Sequence, residues 1–119
     1  MEVEVDLYSG RPNPRFRLAP AAAAELMRRI AALPPLPGPA AVSERLGYRG
    51  FRIEADEDEP SFTEMVVSNG VVVVRDRSGA ERFLADPNRS VERWLAETGA
   101  PMLDPGAASV LREQLASDS

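Results

Sequence analysis

One short loop constrains this chain more than any other stretch: Ser9-Gly10-Arg11-Pro12-Asn13-Pro14. Pro12 and Pro14 fix φ at about −65°. Each also pushes the residue before it, Arg11 or Asn13, towards extended geometry. Gly10 can take positive φ without steric cost. A loop stiffened in this way loses little entropy on binding, which suits it to making contacts. Arg11 offers a planar five-donor fork, Arg15 and Arg17 add positive charge, and Asn13 can both donate and accept. Two readings follow. The loop is a clamp for an anion or a peptide backbone, or it is a turn closing one sheet edge, its arginines paired with the chain's carboxylates.

The loop joins two extended segments. Residues 2–8 alternate, with Val3, Val5 and Leu7 on one side and Glu2, Glu4 and Asp6 on the other. That period predicts a half-buried strand with one wet face. Phe16 and Leu18 fit a short second strand, with Arg15 and Arg17 outward. Residues 20–33 predict a helix. Pro20 suits the first position, Leu26, Met27, Ile30 and Leu33 share a face, and Glu25 stands four residues before Arg29. Pro34-Pro35 stops it. Residues 33–41 read as an extended, proline-rich crossover, and 40–46 have room for a helical turn.

Residues 48–53 read as a strand anchored by Tyr48 and Phe51. An acidic run follows, five acids within residues 54–59, which repel each other and stay solvated. Asn69-Gly70 between two β-branched runs, 62–68 and 71–75, is a strong hairpin signal. Val71-Val72-Val73-Val74 is apolar on both sides, which predicts a central strand. Residues 80–84 predict a further strand. Asp86-Pro87 opens a second helix, with Asp86 or Ser90 as cap. In it Val91, Trp94 and Leu95 are expected inward and Glu92, Arg93 and Glu97 outward, with Gly99 as its end. Asp104-Pro105 opens a last helix to about residue 116, with Val110, Leu111 and Leu115 as its apolar stripe. Strand, helix, several strands, then two helices predict one α+β domain over residues 1–119, a mostly antiparallel sheet with helices packed on one face.

Composition excludes several chemistries. The chain has no cysteine and no histidine, and arginine supplies all fourteen of its basic residues. Thiolate, Schiff-base and imidazole chemistry are therefore absent, and a transition-metal site or a cofactor is not expected. The acidic run has no glycine at which a calcium loop would turn. Serine nucleophiles lack a base, and the paired acids show no facing arrangement. The net charge of −5 with scattered arginines argues against nucleic acid. No apolar run has the length of a membrane span. The N-terminus is unlike a secretory segment, so a cytoplasmic protein is expected.

The loop, the stretch Leu46-Gly47-Tyr48-Arg49-Gly50-Phe51 and the helix motif from Arg89 to Leu95 resemble the shared signature of a family of small bacterial proteins. The chain also looks like an accessory protein of a crocagin-type ribosomal peptide cluster. That resemblance implies binding of a precursor or product peptide rather than chemistry on it. The expected function is a non-catalytic protein that binds a peptide or peptide-derived small molecule, in biosynthesis or self-protection. Its candidate contacts are Ser9, Arg11, Asn13, Arg15, Tyr48 and Arg49. The alternatives are an interaction module working through a sheet edge or the Trp94 helix, and an enzyme using carboxylates alone. A homodimer is expected through edge pairing of residues 2–8.

Overall fold

Six extended segments, some alternating and one a continuous valine run, form one antiparallel sheet. The computed structural model describes residues 1–8, 12–37 and 49–117. Strands β1 (Glu2–Val5) and β2 (Arg15–Arg17) precede helix α1 (Pro20–Ala31). Strands β3 (Phe51–Glu54), β4 (Glu64–Ser68), β5 (Val71–Arg75) and β6 (Glu81–Ala85) follow. Helices α2 (Ser90–Gly99) and α3 (Pro105–Ser117) close the chain, each preceded by irregular turns at 86–89 and 100–104. The strand order is β2-β1-β3-β4-β5-β6. The fold is α+β, as the pattern predicted.

The register sets the two faces. Val3 stands opposite Phe16 and Ile53, Val5 opposite Phe51, Phe51 opposite Val67, and Met65 opposite Val74. All are buried on one face, in a single cluster with Leu26 and Ile30 of α1, Val91 and Leu95 of α2, and Leu111 and Leu115 of α3. The opposite face carries Glu2, Glu4, Arg15, Arg17, Arg52, Glu54, Glu64, Arg75 and Glu81, opposed across strands as acid to base at most positions. Val71–Arg75 lies between β4 and β6, the interior place its apolar run predicted.

Several expectations change. Residues 2–8 do not offer an edge, because β1 lies between β2 and β3; edge pairing through this strand is therefore ruled out. The far edge, β6, is itself covered. Ala85 N–H donates to the Pro34 carbonyl and Leu36 N–H to the Phe83 carbonyl, both at 2.8 Å. The proline-rich stretch thus begins as an extra half-strand, and its prolines offer no N–H outward to a further strand. The first helix ends at Ala31, two residues early, where Leu33 N–H turns back to the Ile30 carbonyl. Val110 is 37% exposed rather than inward; Ala107 and Ala108 take its place against the core beside Leu111. The helical turn suggested for 40–46 lies outside the described residues.

Two glycines permit close approaches that no other residue could make. Gly50 has φ 107°, and a Cβ there would stand 2.3 Å from the Val67 carbonyl oxygen. A Cβ at Gly99 would stand 2.4 Å from the Phe16 ring. The first lets the chain enter β3 close against β4, and the second seats the end of α2 on β2. Asp6 N–H then donates to the Gly50 carbonyl, and Arg49 N–H to the Asp6 carbonyl at 2.7 Å. This brings Arg49 to the end of β1 where the proline loop begins.

Candidate functional site

Asn13 organises the end of the sheet. Its Oδ1 accepts hydrogen bonds from Leu7 N–H at 3.0 Å and Tyr8 N–H at 2.8 Å. Its Nδ2 donates to Glu4 Oε2 at 3.0 Å and Asp6 Oδ1 at 3.3 Å. An amide offers two acceptor and two donor places, so every one is taken. The loop's return is fixed as well, since Val5 N–H donates to the Pro14 carbonyl at 2.9 Å. Prolines on either side of Asn13 fix φ, and the side chain fixes the loop to β1.

Arginines bracket the same acids. Arg15 reaches Glu2 at 3.1 Å and Glu4 at 2.9 Å. Arg49 reaches Asp6 at 2.9 Å. The hydrogen bond from Arg15 to Glu2, with the Glu4 charge beside it, raises the Arg15 pKa further. Of the six residues singled out in the sequence, the structure therefore brings Asn13, Arg15 and Arg49 together on the wet side of β1. Each is already bonded to Glu2, Glu4 or Asp6. Ser9, Arg11 and Tyr48 lie outside the described residues.

A cleft of about 350 Å³ opens beside the loop, lined by Tyr8, Pro12, Asn13, Pro14 and Asp104. Its walls are one aromatic ring and two rigid pyrrolidines, with one carboxylate. Asp104 also caps α3, accepting Ala107 N–H at 3.0 Å. Sequence reasoning gave Asp104 only the capping role. Its place beside the loop is a matter of tertiary packing.

Among the described residues, no group of three or more carboxylates is arranged to hold a metal ion. The acidic run is tied down instead. Asp56 accepts from the N-terminal ammonium at 3.1 Å and from Arg17 at 2.6 Å. These two cations hold its carboxyl below the usual range, the ammonium hydrogen bond contributing most. Arg77 donates to the carbonyls of Glu57 and Glu59 at 3.0 and 2.7 Å.

A second polar cluster went unread in the sequence. Glu92, expected outward, is 0% exposed. Arg89 holds it with two hydrogen bonds, Nε to Oε1 at 3.0 Å and Nη2 to Oε2 at 2.9 Å. Asn69 N–H, in the hairpin turn, donates to Oε1 at 2.9 Å. Asp86, also buried, accepts from Val91 N–H and Glu92 N–H at the start of α2. The intervening residues Asn88 and Arg89 both have left-handed backbones, φ 58° and 55°. Such a conformation costs on the order of 1–3 kcal/mol per non-glycine residue, so the surrounding contacts must enforce it. A signal was present. Glu92, Leu95, Ala96 and Gly99 follow the i, i+3, i+4, i+7 spacing of one helix face, and all are buried.

No helix among the described residues is long and apolar enough to cross a membrane. Comparison with known protein families, with curated proteins and with solved structures found no match.

Proposed function

We propose that the chain is a non-catalytic binding protein, and that its ligand is a peptide or a peptide-derived small molecule taken up at the proline loop. The observation that supports this most is Asn13. By filling all four of its hydrogen-bonding places with Glu4, Asp6, Leu7 and Tyr8, it holds the Pro12–Pro14 arm of the loop in place before any ligand arrives. Adjacent to it lies a cleft with a tyrosine and two prolines, surfaces that suit an extended peptide with apolar side chains. In this reading Asn13, Arg15 and Arg49 are the frame. The contacts fall to Tyr8, Pro12 and Pro14, and to Ser9, Arg11 and Tyr48. Arg11 is assigned the ligand carboxylate, for which its fork gives two parallel hydrogen bonds. A place in ribosomal peptide biosynthesis or protection, in the cytoplasm, belongs to the same proposal.

Native mass spectrometry against peptides encoded by the genes flanking its own tests this reading. A one-to-one complex is expected. Arg11→Ala should then weaken binding roughly tenfold or more, and Arg11→Lys should also weaken it, with the melting temperature held. Absence of any complex counts against the reading. So does an Arg11→Ala protein that loses stability yet binds normally once folded.

A further inference from the structure

Asp104 gives the cleft beside the proline loop a charge. Its Oδ1 accepts Ala107 N–H at 3.0 Å, at the start of α3. That bond orients the carboxylate, because the cap ties it to the helix end. Asp104 is exposed, and among the described residues its Oδ2 accepts no hydrogen bond. An unpaired carboxylate on a surface is ordinary. This one is set apart by its neighbours, the rings of Tyr8, Pro12 and Pro14. Those walls have surface left to cover: Pro12 is exposed, and Tyr8 and Pro14 are half-buried.

The charges around the loop point the same way. Glu2, Glu4 and Asp6 share two arginines, Arg15 and Arg49. With Asp104, four carboxylates stand against two guanidinium groups. Adding Arg11, which belongs to the same loop, still leaves the sum negative.

We propose that this cleft takes a cationic group of the peptide, an ammonium or a guanidinium. Its charge sits at Asp104 Oδ2, and its carbon stem lies against Tyr8, Pro12 and Pro14. The inference rests on the peptide-binding reading above and adds the charge of the ligand. A tyrosine ring attracts a cation to its negative face, and the three rings cover an alkyl stem while the charged head stays near water. A hard metal ion wants about six or more oxygens, whereas an organic cation is held by one carboxylate. The carboxylate assigned to Arg11 and the cation at Asp104 are then different parts of one ligand. A peptide supplies the cation from its amino terminus or from a basic side chain.

Titration of the whole protein with three tripeptides, followed by amide chemical shifts, tests the site. Acetyl-alanyl-prolyl-alaninamide is neutral. Alanyl-prolyl-alaninamide adds a terminal ammonium, and acetyl-alanyl-prolyl-argininamide adds a guanidinium instead. Shifts are expected at Tyr8, Asn13 and Ala107. At least one charged peptide should bind roughly three- to tenfold tighter than the neutral one, and the larger gain names the source of the cation. Asp104→Asn should erase the gain. Asparagine caps a helix about as well as aspartate, so the melting temperature should hold in that variant. Added salt should shrink the gain in the unmodified protein. Equal binding by all three peptides, or a gain that survives Asp104→Asn, would overturn the cationic site and leave the peptide-binding reading standing. No shift from any of them at millimolar concentration would also overturn it, while the peptides of the flanking genes decide that reading separately.

Discussion

The wet face of the sheet and the cluster beneath the hairpin use the same side chains to opposite ends. On the wet face, Arg15, Glu2 and Glu4 are paired in water, with Arg15 52% exposed. In the cluster, Arg89 and Glu92 are paired with almost no water, at 10% and 0%. Exposed pairs contribute little, because water competes for each charge and ordering the side chains costs entropy. A buried pair need not add net stability either, but breaking it leaves a charge with no solvent to take it up. The wet face therefore tolerates change, while the cluster fixes how α2 meets the hairpin. Asn13 falls between them: partly buried, uncharged, yet bonded to two backbone N–H groups.

That contrast can be broken first at Glu92. Glu92→Ala removes both hydrogen bonds to Arg89 and the acceptor for Asn69 N–H, leaving a buried guanidinium beside strained backbone. The expected loss is about 3–5 kcal/mol in urea unfolding, a large share of a typical domain's stability. A loss below 1 kcal/mol would place Glu92 with the wet face. Asn13→Ala should give an intermediate loss of about 2 kcal/mol, since two backbone donors lose their partner. Amide exchange should quicken at Leu7 and Tyr8 before it does at β4 and β5.

The smallest effect belongs to Asp56. Its folded pKa is depressed, so its contribution is complete above the ordinary aspartate value of about 3.9. It is lost as pH falls from there through the lowered folded value. Asp56→Asn should thus flatten the stability profile in that acid window and leave it unchanged near neutrality in shape. High salt should shrink the difference at Asp56 and spare the one at Glu92. An unchanged acid profile in the variant would show that the N-terminus and Arg17 do not hold this carboxylate.

Alternation and turn chemistry are local properties, and the sequence alone determined what they govern. Glu2–Val5 shows its two faces in four residues. Asn69 and Gly70, with φ 50° and 87°, form the hairpin turn that only such residues enter easily. Pro12 and Pro14 restrict their own φ in the same local way, because proline acts on its own backbone. Tertiary structure decided the rest. Residues 2–8 look like an edge until β3 pairs with their free side. Glu92 looks solvent-facing by its charge and is buried by its helical position, a conflict settled only by Arg89 folding over it. Arg15 and Arg49 offer donors to any ligand when read singly, and are bonded to Glu2, Glu4 and Asp6 once the strands assemble. Pairing across strands joins residues far apart in the chain, Asp6 with Arg49 and Met1 with Asp56. No local pattern encodes which carboxylate a given arginine will meet.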